Sequence, residues 1–343
     1  MTPLFLGLEG LTLTENESAL FGASDPAGYI LFKRNVETPE QVKALTDSLR
    51  HLSGRSDVPI LIDQEGGRVA RLRPPHWPEF PTGAAFGRLY AVAPISALEA
   101  ARLNGIALAM LLRDLGINVD CLPLLDVPQP GAHDIIGDRA YASDPMWVAA
   151  LGDATLKGLR AGGCVGVVKH IPGHGRAGAD SHLELPVVTA TREELEIDFQ
   201  PFRKLKDAPM AMTAHVVYTA LDPNRCATLS ETVITDVIRG YIGFDGLLMS
   251  DDLGMKALSA GDQLGGNAVG DFGARATESL AAGCDIALHC SGDFSEMRSI
   301  VEAVGEIEPP AKARLDRAMT WAAAGEGDLS ELAAKRDALL ALA

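Results

Sequence analysis

Eight short apolar runs, separated by stretches of helical periodicity, constrain this chain more than any other feature. They are Pro3–Leu8, Gly28–Phe32, Pro59–Ile62, Val119–Leu125, Val165–Lys169, Met210–His215, Gly246–Met249 and Asp285–His289. Most are continuously apolar rather than alternating, which is how strands covered on both faces read. Between them Thr38–Leu52, Ser96–Leu115, Asp144–Leu159, Thr191–Leu205, Ser230–Gly240, Val269–Ala282 and Ser295–Val304 carry helical spacing. Asp144-Pro145 and Thr191-Arg192-Glu193-Glu194 read as helix starts, and Gly116 as a C-cap. Strand–helix alternation repeated this way predicts an α/β fold, a single-domain (β/α)8 TIM-type barrel. A doubly wound open sheet competes, but no Gly-rich phosphate fingerprint follows the first run. No linker of disordered composition breaks the chain. Residues 1–343 therefore read as one domain, with an alanine-rich helical tail from about 311 packed outside the barrel.

In a parallel barrel the carboxyl-terminal strand ends carry function, so the polar residues there are the first candidates. The second run ends in Lys33-Arg34-Asn35 and the third in Asp63-Gln64-Glu65-Gly66-Gly67-Arg68. The fourth runs into Asp126, the fifth into Lys169-His170, and the sixth ends at His215. The seventh ends in Ser250-Asp251-Asp252 and the eighth at His289; the opposite ends hold far fewer such groups. This one-sided placement predicts a polar pocket. Plainer roles stand beside the functional ones. Asp63 could cap a turn, and Asp252 the next helix. His215 and His289 could be satisfied histidines at the edge of the core. Arg139 could pair with Asp138 at the surface. Lys169 is harder to place in this way, because an ammonium beside a buried strand needs a partner or a ligand.

Charge and cysteines narrow the partners. A net charge of −16 disfavours nucleic acid and anionic membrane, both of which need basic surface. The five cysteines include no CxxC, so neither a disulfide framework nor a cysteine zinc site is suggested. Residues 1–10 lack a basic start and a small-residue cleavage site, and no apolar run looks long enough to span a membrane. The expectation is a cytoplasmic protein without a secretory leader.

The densest chemistry follows the fifth run: Lys169-His170-Ile171-Pro172-Gly173-His174-Gly175, then Asp180-Ser181-His182. Glycine and proline rule out a helix, so these titratable groups sit on a loop expected to be mobile, with Gly173, Gly175 and Gly178 as its pivots. His170 and His174 have the spacing of a metal pair, but without a helix or an HExxH glutamate. In an extended segment Asp180 and His182 share one face, and the carboxylate would orient the imidazole and favour its protonated form. Asp251, at a strand end, is suited to attack an electrophilic carbon or to stabilise a cation. A fixed carboxylate and a separate proton donor are the minimum for retaining glycoside hydrolysis, although the usual donor is a carboxylic acid.

These pieces resemble a family 3 glycoside hydrolase of the bacterial β-N-acetylglucosaminidase type. The resemblance rests on Gly28–Asn35, Ile62–Val69, Gly116-Ile117-Asn118, Leu124–Val127, Gly137-Asp138-Arg139, Lys169–Gly175, Asp180-Ser181-His182 and Ser250–Met255, in the family's order along nearly all of the chain. Ile171 stands where the family often has Phe. The resemblance implies that Asp251 is the nucleophile and that His182, paired with Asp180, is the acid/base. It implies that Asp63, Arg71, Arg139, Lys169 and His170 bind the N-acetylglucosamine. It further implies a sugar substrate drawn from peptidoglycan turnover, a muropeptide fragment, with no cofactor and no metal; the oligomeric state is left open. Alternatives are a β-N-acetylglucosaminide phosphorylase or transglycosylase on the same scaffold, a metal-dependent barrel hydrolase using His170, His174, His182 and Asp251, or a sugar-binding barrel without turnover.

Overall fold

The computed structural model describes residues 1–181, 183–259, 270–322, 325 and 327–343. Among these, ten strands occur in chain order: β1 (Thr2–Leu6), β2 (Pro26–Leu31), β3 (Ile60–Ile62), β4 (Val119–Asp120), β5 (Val165–Ile171), β6 (Val187–Val188), β7 (Met210–Thr213), β8 (Val217–Tyr218), β9 (Leu247–Asp252) and β10 (Ile286–His289). β1, β2, β3, β4, β5, β7, β9 and β10 pair in parallel in that order, and β10 returns to β1 to close a barrel. Each of the eight apolar runs supplies one of these strands. The short β6 and β8 pair with each other outside the barrel.

Burial on both faces explains the unbroken apolar runs. Along β5, Val165 and Val167 join a cluster with Phe5, Leu61, Met210 and Leu247 from other strands, the interior of the barrel. Val168 and Ile171 pack instead with Phe199 and Phe202, which lie on the helix Glu196–Lys204. The anticipated helices form close to their expected limits. Pro145–Gly162 is capped by Asp144, whose carboxylate accepts the amides of Met146 and Trp147. Thr191 and Glu194 exchange side-chain bonds with each other's amides, but turns follow and the helix starts only at Glu196. Val233–Ile242 is a π-helix rather than an α-helix. Val269 lies outside the described residues, and the helix expected from it runs over Phe272–Ala281.

Three findings depart from the sequence reading. Helices at Glu15–Ser24 and Gly83–Val92 were not anticipated. The helix Pro94–Asp114 is long and apolar enough to cross a membrane by length and composition, contrary to the sequence reading, yet two thirds of its most apolar stretch is buried within the protein. The tail is also not wholly peripheral. Leu315 and Ala318 of Pro309–Met319 join the barrel's interior cluster, and Arg314 pairs with Asp245 and Asp285, just ahead of β9 and β10. That helix therefore closes the amino-terminal floor of the barrel, opposite the polar strand ends.

Candidate active site

The polar strand ends surround a cavity of about 360 Å³, lined by Asp63, Glu65, Arg71, Arg139, Lys169, His170, Asp251 and Asp252. Phe32, Met212, Met255 and Leu288 supply apolar wall. Lys169 organises one side. Its side chain, only 2% exposed, reaches from β5 to Asp63 Oδ1 (2.9 Å) and Glu65 Oε1 (2.6 Å). Arg71 donates to the other oxygen of Asp63 (3.0 Å), with its guanidinium 4.8 Å above the Phe32 ring. Arg139 grips both oxygens of Glu65 at 2.9 and 2.8 Å. The expected surface pair of Arg139 with Asp138 does not form; Asp138 takes Arg68 instead (3.0 Å).

Two carboxylates and three cations thus form a paired lattice. Burial by itself would raise the carboxyl pKa values, but Lys169 and the arginines outweigh it, holding Asp63 far below the usual range and Glu65 at about 2. Burial alone would depress Lys169, yet the same two carboxylates drive it upward and keep it charged. A depressed carboxyl pKa contributes stability above the unfolded value that is lost as pH falls through the folded one. Acid titration followed by chemical denaturation should therefore show the contribution of Glu65 intact above pH 4.5 and declining between 4.5 and about 2.

Asp126 fixes the second part of the site. Its carboxylate accepts His170 Nδ1 (2.7 Å) and the amides of His170 (3.2 Å) and His174 (2.7 Å). Burial opposes its ionisation, but His170 and these bonds bring it to about 2. With Nδ1 engaged, His170 has Nε2 left for the cavity it lines. His174 differs: it is buried, Nε2 meets the Ser181 hydroxyl at 3.2 Å, and burial followed by the charge of His170 brings its pKa to about 4. It is a neutral wedge beneath the loop at neutral pH. Among the described residues, no three His, Cys, Asp or Glu converge as metal ligands.

Asp251 lies at the end of β9 and lines the cavity; its Oδ1 accepts the Asp252 amide at 2.8 Å. Asp252 does not cap a helix. Its Oδ1 accepts the amides of Gly254 (2.9 Å) and Cys290 (3.0 Å), tying β9 to the end of β10. His215 bonds Thr228 (2.7 Å) and the Asp252 carbonyl (3.0 Å), and so supports the strand end that carries Asp251. His289 is taken up by Glu296 at 2.9 Å.

The loop after β5 carries Asp180, whose carbonyl accepts the amides of Leu183 and Glu184. His182 lies outside the described residues. The loop is packed at several points rather than free. Ala177 and Ser181 are buried, and Arg176 pairs with Asp198 at 2.5 Å. A Cβ on Gly175 would meet the Val127 carbonyl oxygen at 2.1 Å, whereas one on Gly178 would meet nothing within 4 Å. Gly175 thus serves close packing, whereas Gly178 has room for a side chain. Gly175→Ala should cost about 1–3 kcal/mol by overpacking, while Gly178→Ala should stay within about 0.5 kcal/mol; urea denaturation of both variants checks this.

Glu65 and Asp126 were not assigned roles from sequence. The signal for Glu65 was its place two residues after Asp63, which in extended chain gives a shared face. For Asp126 it was only a carboxylate following an apolar run.

A sealed parallel barrel with acceptors and donors rigidly alternated around a small cavity, and a further carboxylate across it, defines an enzyme built for a polyhydroxylated ligand. The profile of the glycosyl hydrolase family 3 N terminal domain matches residues 11–321. A beta-hexosaminidase of Aromatoleum aromaticum is 37% identical over 319 residues, covering 92% of this chain and 86% of that one. One from Bordetella avium is 36% identical over 330 residues, covering 95% and 90%. Among solved structures, NagZ from Neisseria gonorrhoeae in complex with N-trifluoroacetyl-D-glucosamine aligns with a TM-score of 0.85 at 30% identity, over 99% of this chain and 98% of that one. The chain belongs to glycosyl hydrolase family 3, and is a glycoside hydrolase of the β-N-acetylhexosaminidase kind.

Proposed function

We propose that this β-N-acetylglucosaminidase works with retention through a covalent glycosyl-enzyme, and that its substrate is a peptidoglycan turnover fragment. The fragment is N-acetylglucosamine β-linked to a 1,6-anhydro-muramoyl peptide, cleaved in the cytoplasm during cell-wall recycling. The observation that carries the mechanism is the position of Asp251, at a strand end across the cavity from the Asp63–Lys169–Glu65 lattice. Asp63 accepts sugar hydroxyls through charge-assisted bonds, and Lys169, Arg139 and His170 hold neighbouring groups. The anomeric carbon then lies over Asp251.

His182, oriented and charged by Asp180, donates its proton to the leaving oxygen as an Asp251 oxygen bonds to the anomeric carbon and the glycosidic bond breaks. The neutral imidazole then takes a proton from water. The water oxygen bonds to the anomeric carbon, the bond to Asp251 breaks, and the sugar leaves with its original configuration. The likeness to NagZ in complex with N-trifluoroacetyl-D-glucosamine supports an N-acylated glucosamine as the sugar held; a net charge of −16 does nothing to draw in an anionic fragment.

The test is proton NMR of the first product formed from a β-N-acetylglucosaminide, in phosphate-free buffer with EDTA, followed by a comparison of the muropeptide with chitobiose. β-Anomer appearing first, and preference for the muropeptide, support the reading. α-Anomer appearing first, or activity that requires added phosphate or zinc, overturns it.

A further inference from the structure

The carboxyl-terminal helix Leu329–Leu340 lies beyond residue 321, where the family match ends. One of its side chains nevertheless reaches toward the sugar-binding turn. Arg336 is buried, donates to Asn104 Oδ1 at 3.0 Å, and places its guanidinium 5.2 Å from the centre of the Phe80 ring. Both neighbours abut the turn that carries Glu65. The Phe80 carbonyl accepts the Gly67 amide at 2.8 Å. A Cβ on Gly66 would meet the Pro81 carbonyl oxygen at 2.3 Å, so Phe80 and Pro81 form the bed on which the turn rests. Asn104 shares with Glu65 and Arg139 the wall of an internal void of about 10 Å³.

We propose that Arg336 is a positioning residue for the reaction: it fixes Phe80 and Asn104, and through them the Glu65 turn, from outside the barrel. Arg336 also pairs through Nε with the exposed Asp337 at 2.8 Å, yet a buried arginine remains a costly way to dock a helix that apolar residues could dock alone. Its two inward partners, Asn104 and Phe80, account for it, since both are shared with the turn. The consequence is a lattice whose Glu65 corner depends on a helix remote from the chemistry. A displacement of that corner acts on sugar affinity before it acts on bond cleavage.

This inference rests on the reading of the Glu65 lattice as the sugar grip. The experiment compares Arg336→Ala with Leu332→Ala, which trims the same helix where it packs apolarly. Both are assayed on a chromogenic β-N-acetylglucosaminide well below their melting temperatures, with N-acetylglucosamine affinity measured by calorimetry. Arg336→Ala should lower kcat/KM about tenfold, mostly through KM, and weaken N-acetylglucosamine to match. Leu332→Ala should lower the melting temperature and leave KM alone. Arg336→Lys, which keeps a cation over Phe80 and one donor for Asn104, should recover most of the loss. If Arg336→Ala folds too poorly to assay, Phe80→Leu should show the same rise in KM. A wild-type KM in Arg336→Ala, or in Phe80→Leu where that stands in, overturns the proposal. An equal KM rise in Leu332→Ala does so too. Failure of the sugar-grip reading shows up separately, as N-acetylglucosamine binding that survives Glu65→Gln.

Discussion

Asp251→Asn should abolish turnover, with a loss of roughly 10³-fold or more, because in the proposed mechanism it removes both the attacking atom and a negative charge facing a developing oxocarbenium ion. The substitution is nearly isosteric. The asparagine oxygen can still accept the Asp252 amide that Asp251 Oδ1 accepts now, so the melting temperature should hold. KM should also hold, since the lattice proposed to grip the sugar is untouched. Azide offers a second readout. Entering on the face the carboxylate occupied, it would capture the anomeric carbon from an activated substrate and give the α-glycosyl azide. Steady-state kinetics and product NMR decide the matter. Turnover within tenfold of wild type would remove Asp251 as nucleophile.

Lys169→Met should be the most damaging change for the fold that leaves side-chain length nearly constant. Lys169 is the common partner of Asp63 and Glu65. Without it two buried carboxylates face each other, each with a single arginine behind it. Breaking a buried ion pair on one side costs about 3–5 kcal/mol, and urea denaturation at neutral pH should show a loss in that range. The carboxyl pKa values should rise with the cation gone. Stability that wild type loses between pH 4.5 and about 2 on protonation of Glu65 should then shrink in the variant. N-acetylglucosamine binding should fall with it. A variant as stable as wild type, with an unchanged acid transition, would show that the lattice is not held by Lys169.

The barrel was legible because its strands are covered on both faces. Val165–Lys169 could be read as a strand from residue type alone, whichever side each residue faced. Glu15–Ser24 escaped for the opposite reason. It buries little beyond Phe21 and Glu17, leaving no apolar stripe to detect. Its signature lay in the Thr14 and Glu17 capping box, a two-residue pattern easily lost. In the site, Asp63 and Lys169 were visible as strand-end residues, but their mutual pairing is a contact across 106 positions that spacing cannot reveal. Arg139 was drawn to its sequence neighbour Asp138 in the plain reading, whereas the fold offers it Glu65, 74 positions away. The glycine-rich loop misled in a different way. Glycine signals freedom and close approach alike, and only the neighbouring Val127 carbonyl distinguishes Gly175 from Gly178.

The ion pair of Arg176 with Asp198 in the loop after β5 has one more consequence. The groups proposed to recognise the sugar stand on strand ends and on one braced turn. The proposed proton donor, His182, follows Gly178 and Arg176 in the sequence, Arg176 being the residue that pairs with Asp198. Recognition and timing are thereby lodged in separable pieces of chain. Changes in loop length or composition beyond Gly178 can retune how fast the enzyme turns over, or which acceptor resolves its intermediate, while the identity of the bound sugar stays inherited from the barrel. Lineages sharing this scaffold would be expected to diverge in kinetics sooner than in the sugar they hold.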